Sequence, residues 1–121
     1  MNLESIDHVQ LAMPAGEEER ARTFYRDTLG LPERPKPSYL AARGGAWFEA
    51  DGVKVHLGVD INFVAAKKAH AAFIVRDLPA LIERCEKEGY EVVGDEPLEG
   101  YSRVYVLDPF GNRLEFLEPS L

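Results

Sequence analysis

Alternating apolar and polar positions predict a strand near the start of the chain, followed by a helix and three more strands. Ile6 to Met13 alternates with a period of two, as a half-buried strand does. Glu17 to Leu29 places apolar residues three or four apart, which is typical of a helix, and Gly30 is a natural stop. Short β-like runs then follow at Tyr39 to Arg43, Ala46 to Ala50 and Val53 to Val59.

The second half of the chain repeats this order. Asp60 to Lys68 lacks periodicity and is expected to link the halves, and Ala69 to Val75 predicts the next strand. A helix follows, with Asp77 as its N-cap, Pro79 in its first turn and Gly89 at its end. Strands are predicted at Tyr90 to Val93, Tyr101 to Leu107 and Arg113 to Glu118. The pattern therefore predicts an α+β fold made of two tandem βαβββ modules.

The repeat relates four polar residues in two pairs. Each half opens with a strand that carries a histidine near its start, His8 in the first and His70 in the second. Each half closes with a hairpin, and the residue four positions after its turn glycine is His56 in the first half and Glu115 in the second. Alternation directs His56 and Glu115 away from their apolar neighbours, which are expected to pack on the helices.

A pseudo-two-fold axis between the modules would bring His8, His56, His70 and Glu115 together. A single histidine on a strand is more often a structural side chain, but this set contains all three histidines of the chain. Imidazole nitrogens with one carboxylate suit zinc, nickel, iron, manganese or cobalt, whereas calcium and magnesium prefer oxygen ligands. We therefore expect a divalent transition metal to bind these four residues.

Other residues are candidates for holding a substrate beside the metal. Arg103 has a planar fork suited to a carboxylate or phosphate, although it could equally pair with a neighbouring glutamate. Tyr101 shares a strand face with Arg103, and Trp47 could line the first module's side of the pocket. Gln10 lies two residues beyond His8 and is expected to face the same pocket.

The composition of the chain limits the classes of partner that it is expected to bind. The chain has 121 residues, enough for one compact core, and a net charge of -7, which argues against capture of nucleic acid. The single cysteine, Cys85, cannot form an internal disulfide and occupies an apolar helical position, so a packing role is expected. Neither an export signal nor a membrane-spanning segment is evident, so we expect a cytoplasmic protein with a small-molecule partner.

Several motifs resemble the vicinal oxygen chelate superfamily, which includes glyoxalase I, extradiol dioxygenases, fosfomycin-resistance enzymes and bleomycin-resistance proteins. They are Ile6-Asp7-His8-Val9, Val55-His56-Leu57-Gly58-Val59, His70 and the run from Asp108 to Phe116. The resemblance implies one glyoxalase-like domain over 1–121, with modules at about 1–60 and 69–121. It also implies a pseudo-symmetric half-barrel around a central pocket, with His8, His56, His70 and Glu115 as metal ligands, and a homodimer.

The resemblance implies a metal-dependent lyase or isomerase acting on a small oxygenated substrate, with Glu115 also serving as catalytic base. One departure is His56, because glyoxalase I commonly has glutamate or glutamine at this position. A metal-free binding protein of the bleomycin-resistance type is an alternative. A ferrous extradiol dioxygenase, using only His8, His70 and Glu115, is another.

Overall fold

The chain divides into two compact units, Met1–Phe63 and Val64–Leu121, and their boundary falls in the predicted linker. This computed structural model describes residues 2–94 and 96–120; Met1, Asp95 and Leu121, which the predicted modules include, lie outside the described residues. Each unit contains one four-stranded sheet of mixed direction. Among the described residues, no helix combines the length and apolar character needed to cross a bilayer.

The first unit has the predicted order of strand, helix and three strands. Its elements are β1 (Val9–Met13), α1 (Glu18–Ala21), a π-helical segment (Arg22–Thr28), β2 (Glu33–Arg34), α2 (Ser38–Ala41), β3 (Ala46–Ala50) and β4 (Val53–Val59). The sheet order is β1-β4-β3-β2, with β1 parallel to β4 and the other pairs antiparallel. The first strand is shorter than predicted, so His8 directly precedes it instead of lying within it.

The predicted strand at Tyr39 to Arg43 is wrong. This region contains the helix α2, because the carbonyl of Pro37 accepts hydrogen bonds from the backbone N–H groups of Leu40 (2.9 Å) and Ala41 (3.1 Å). The edge strand is instead the two-residue β2, in which Glu33 pairs with Phe48. Its shortness leaves no alternation for a sequence pattern to detect.

The predicted helix from Glu17 to Leu29 is present, but its second part is wound as a π-helix. The Leu29 N–H donates to the Phe24 carbonyl five residues earlier, at 2.9 Å. Buried Phe24 and Tyr25 face the sheet from this segment, and the Tyr25 ring stacks on Phe48 with centroids 5.5 Å apart. This contact covers the side of β3 that carries Phe48, so Trp47 and Glu49 lie on the opposite side of the strand.

The second unit repeats this topology. Its elements are β5 (Ala71–Ile74), α3 (Leu78–Lys87), β6 (Val92–Val93), β7 (Tyr101–Leu107) and β8 (Arg113–Pro119). The sheet order is β5-β8-β7-β6, again with the opening strand parallel to the closing strand. The α+β class and the two βαβββ modules are thus confirmed, and both sheets remain open.

The helix α3 begins and packs as its sequence predicts. The Asp77 carboxylate accepts a hydrogen bond from the Ala80 N–H at 3.2 Å, which caps the helix. Glu118 of β8 supplies a second cap that was not predicted, because its carboxylate accepts from the N–H groups of Asp77 (2.7 Å) and Leu78 (3.1 Å). Cys85 is a fully buried free thiol on the inner face of α3, as expected for a packing residue.

Strand register confirms that His56 and Glu115 occupy equivalent positions. The residue two positions after each opening histidine pairs with them, Gln10 with His56 and Ala72 with Glu115. On the other side, Trp47 of β3 pairs with His56, and Tyr105 of β7 pairs with Glu115. Directly paired residues point to the same face of a sheet, so each unit presents one polar cluster, on the side away from the π-helical segment in the first unit and away from α3 in the second.

Candidate functional site

The polar cluster of the second unit is centred on Glu115, whose two carboxylate oxygens have different partners. Oε1 lies 2.9 Å from His70 Nε2, and Oε2 accepts a hydrogen bond from Arg103 Nη1 at 3.1 Å. The glutamate is only 7% exposed. His70 and Arg103 therefore both contact Glu115. Of the two partners considered for Arg103, a substrate anion or a neighbouring glutamate, the structure has the glutamate.

The backbone of residue 68 fixes the tautomer of His70. Its Nδ1 lies 2.9 Å from the carbonyl oxygen of Lys68. A carbonyl oxygen only accepts hydrogen bonds, so Nδ1 carries a hydrogen and Nε2 is the nitrogen directed at Glu115. An N–H to carbonyl contact behind the ring is the arrangement that usually orients a metal-binding histidine.

Tyr105 and Arg113 complete this cluster. The Tyr105 hydroxyl lies 3.3 Å from Arg103 Nη1, and the His70 ring meets the Tyr105 ring edge-on at 5.3 Å. The guanidinium of Arg113 lies 3.7 Å from the Tyr105 ring centroid, a cation-π contact. The register of Tyr105 opposite Glu115 follows from the predicted hairpin, whereas sequence analysis did not assign Arg113 to the site.

In the first unit, the partner of His8 is its neighbour Asp7. His8 Nδ1 lies 2.9 Å from Asp7 Oδ2. This hydrogen bond, and then the charge of Lys54, hold the pKa of the Asp7 carboxyl below its ordinary value, which keeps it an ionised acceptor. The hydrogen is therefore on His8 Nδ1, and Nε2 is the nitrogen left for another partner.

His56 is held more tightly than either opening histidine. Its ring is 5% exposed and lies between two others, parallel to Trp47 with centroids 4.2 Å apart and stacked on His8 at 4.3 Å. Its Nε2 lies 2.7 Å from Glu49 Oε2. Nitrogen lone pairs lie in the ring plane, so the stacked rings of His8 and His56 do not direct theirs at one point in this conformation.

The remaining predicted substrate residues differ in position. Gln10 lies against Gly58, where an added Cβ would be 2.7 Å from the side-chain amide nitrogen of Gln10, so a larger residue at position 58 would displace the end of this side chain. Trp47 faces the same side of the sheet because both it and Gln10 pair with His56. Tyr101 pairs with Pro119 at the far end of its hairpin and is 40% exposed, away from the contacts of Glu115.

The turn before β8 is organised around a buried carboxylate. Asp108 Oδ1 accepts hydrogen bonds from the N–H groups of Phe110 (2.9 Å) and Asn112 (2.8 Å). Its Oδ2 accepts from the side-chain amide of Asn112 at 2.9 Å. These three bonds fix the turn three residues before Glu115, and thereby the register that places Glu115 opposite Tyr105.

The donor chemistry of these clusters fits a divalent transition metal. Each opening histidine has an oxygen partner at Nδ1, which leaves Nε2 as the atom that could bind a metal, and the Glu115 carboxylate lies 2.9 Å from Nε2 of His70. Within the described part of either unit, however, no three His, Cys, Asp or Glu side chains are grouped as one metal would require. Each unit alone therefore supplies a pair of ligand candidates.

Comparison with known proteins gives a family assignment. The profile of the Glyoxalase/Bleomycin resistance protein/Dioxygenase superfamily matches residues 5–116. A protein of Bacillus anthracis ascribed to the glyoxalase family has 46% identity and a TM-score of 0.93, over 99% of this chain and 98% of that chain. No significant match was found among curated proteins.

More distant solved structures share the fold. A genomically encoded fosfomycin resistance protein from Listeria monocytogenes has 15% identity and a TM-score of 0.77, covering 98% of this chain and 96% of that chain. An antibiotic-binding protein from Streptomyces has 22% identity and a TM-score of 0.68, covering 98% and 100%. The profile match over most of the sequence shows that the chain belongs to the Glyoxalase/Bleomycin resistance protein/Dioxygenase superfamily.

Proposed function

We propose that the chain binds a divalent transition metal (zinc, nickel, iron, manganese or cobalt) through His8, His56, His70 and Glu115 and acts as a lyase or isomerase on a small oxygenated substrate. The observation that supports this best is the shared state of His8 and His70. The two are equivalent in the repeat, and each donates from Nδ1 to an oxygen, leaving Nε2 as the available ligand.

The contact between His70 and Glu115 also supports a cation. Because His70 Nδ1 carries the hydrogen, its Nε2 and the Glu115 Oε1 would face each other as two acceptors at 2.9 Å. Such a contact is stable only with a proton or a metal ion between the two atoms. A bound metal would replace that proton, so binding should release it to solvent.

The residues around the metal ligands have separable roles. When bound, the metal supplies an electrophile for oxygens of the substrate. Because Arg103 keeps Oε2 of Glu115 occupied, Oε1 is the oxygen that would either bind the metal or hold a proton. Gln10 and Trp47 orient the substrate on the face that carries His56. Glu115 is the only carboxylate of the proposed ligand set, so the catalytic base is assigned to it.

Elemental analysis of protein purified without chelators tests the proposal. The wild-type chain should contain about one transition-metal ion per chain, and Glu115→Gln should lose most of it because a neutral amide is a poorer ligand. Glu83→Gln, an exposed change on α3, is the matched control and should keep the metal. Absence of stoichiometric metal, together with failure to bind added nickel, zinc, manganese or iron, would rule the proposal out.

A second function, metal-free binding of a small molecule, has one observation in its favour. Both oxygens of Glu115 already have protein partners, and with a proton on His70 Nε2 the contacts to His70 and Arg103 form two ion pairs that need no metal. One relative of the same fold is described as antibiotic-binding. Ligand binding that survives His8→Ala and His70→Ala would favour this function over the enzyme.

A further inference from the structure

The first unit contains a cavity of about 260 Å³. It lies at the end of β4 away from the hairpin, and residues around it include Gln10, Lys36, Leu40, Arg43, Trp47 and Gly58. Gln10 and Trp47 are the two residues paired with His56 across the sheet, so the cavity opens on the polar face of this unit. The short helix α2 and the loop after it form its outer wall.

The charge of this cavity opposes the charge of the chain. The chain carries 21 acidic and 14 basic residues, yet the cavity is lined by two cations, Lys36 and Arg43, and by no carboxylate among its lining residues. Arg43 makes no ion pair with any residue in the described part of the chain. Two unneutralised cations at one concave surface attract an anion.

The neighbouring backbone holds Lys36 in place. Lys36 Nζ donates a hydrogen bond to the carbonyl of Gly44. This bond uses one of the three N–H bonds of the Lys36 ammonium group, and the other two are left for a ligand. The nearby Glu18 carboxylate accepts from the Gly45 N–H at 2.9 Å, so it anchors the loop and is not a lining residue. An added Cβ at Gly45 would lie 2.1 Å from the Leu57 carbonyl oxygen, so this loop position requires glycine.

We propose that this cavity binds an anionic oxygen group of the substrate, a carboxylate or a phosphate-type group. Lys36 and Arg43 supply the positive charge, the Gln10 amide supplies a further donor, and Trp47 forms the apolar wall. The inference rests on the proposed function and sharpens it, because it assigns the substrate to small organic anions. The anion would be held next to His56, on the face of the sheet that carries that ligand candidate.

The fluorescence of Trp47 tests this directly, since it is the only tryptophan in the chain and it lines the cavity. Chelator-treated and dialysed protein is titrated at constant ionic strength with inorganic phosphate, with glycolate, and with neutral glycerol. A saturable change in Trp47 fluorescence with phosphate alone would identify the bound group as phosphate-type. A saturable change with glycolate alone would identify it as a carboxylate. Saturation with neither anion, or an equal response to glycerol, overturns the proposal.

Charge variants locate the binding. Lys36→Gln and Arg43→Gln should each weaken anion binding about tenfold, the usual loss for one charge-assisted hydrogen bond. Arg43→Lys should restore most of it, whereas Lys87→Gln on α3 is the matched control and should bind as the wild type does. Equal weakening in Lys36→Gln, Arg43→Gln and Lys87→Gln would mean that only net charge matters and would overturn the site.

The result is independent of the metal test. Protein that binds metal but no anion would refute only this cavity, and the proposed enzyme would stand with another substrate class. Protein that binds the anion but no metal would refute the metal proposal, and the cavity would then belong to a metal-free binding protein.

Discussion

The indole ring of Trp47 and the imidazole ring of His56 lie parallel, with their planes 7° apart and their centroids separated by 4.2 Å. The two residues are directly paired across β3 and β4. With Glu49 bound to Nε2 and His8 stacked on the other face, His56 has little freedom to rotate. The position equivalent to Glu115 is therefore occupied by a ring whose orientation is fixed, and binding of a metal at its Nε2 would require displacement of Glu49.

The stacking predicts an energetic coupling between Trp47 and His56. In a double-mutant cycle of Trp47→Leu and His56→Gln, the free energies of unfolding should deviate from additivity by about 0.5–1.5 kcal/mol, the usual worth of an aromatic pair. Denaturant unfolding followed by far-UV circular dichroism measures it. Trp47→Leu combined with Glu83→Gln, an exposed change on α3, should be additive, and additivity in both pairs would contradict the coupling.

The hydrogen bond between Asp7 and His8 predicts that metal affinity depends on Asp7, although Asp7 is outside the proposed ligand set. Asp7→Asn removes the carboxylate that holds the hydrogen on His8 Nδ1, so zinc affinity should fall about tenfold or more while the ligands remain. Isothermal titration calorimetry with zinc is the measurement. Asp27→Asn, an exposed carboxylate on the π-helical segment, should leave the affinity unchanged; equal affinity in all three proteins would remove Asp7 from the account.

Asp108 predicts a loss of stability centred on the last hairpin. Asp108→Ala leaves two backbone N–H groups and one amide without their acceptor in a buried turn, which should lower the free energy of unfolding by about 3 kcal/mol. Urea unfolding measures this change. The exposed turn residue Asp51, changed to alanine, is the comparison and should cost less than about 1 kcal/mol.

Cys85 predicts a pH dependence of stability. Burial raises the pKa of its thiol above the ordinary value of 9.0, because the thiolate is poorly solvated inside the helix packing. The unfolded chain ionises first, so stability is complete below that ordinary value and falls as pH rises from it towards the folded-state pKa. Comparison of wild type with Cys85→Ala between pH 8 and about 11 isolates this part. Identical pH profiles would contradict it.

The sequence predicted most of the fold because its elements are separated by clear turns and repeat in order. Local turn and capping residues were enough to predict two hairpins and one helix. These are the hairpins at Asp51-Gly52 and at Asp108 to Asn112, and the helix capped by Asp77. The helix at Ser38–Ala41 was missed because Tyr39 to Arg43 is too short for its period to be read. The π-helical winding was missed because helical spacing does not distinguish bonds four residues apart from those five apart.

The repeat predicted that His70 and Glu115 meet, but the sequence predicted neither Arg113 nor most of the contacts of the candidate site. The symmetry of the repeat identified His70 and Glu115 as candidate site residues. The planar guanidinium of Arg103 indicated a carboxylate partner, and this partner is Glu115. Two contacts could not be predicted, the hydrogen bond of His70 with the Lys68 carbonyl and the stacking of His56 on Trp47. Both depend on the path of the backbone and on side-chain rotamers, and local sequence patterns do not determine these. The cytoplasmic location, the homodimer and the metal remain predictions.

The most direct test of the metal proposal is a nitrogen NMR spectrum of the histidine side chains during addition of zinc, which is simple because the chain has only three histidines. Without metal, His8 and His70 should carry hydrogen at Nδ1. At about one equivalent of zinc, the Nε2 signals of both should shift together while their Nδ1 hydrogens persist. Unchanged Nε2 signals, or zinc bound at Nδ1, would contradict the proposed metal site.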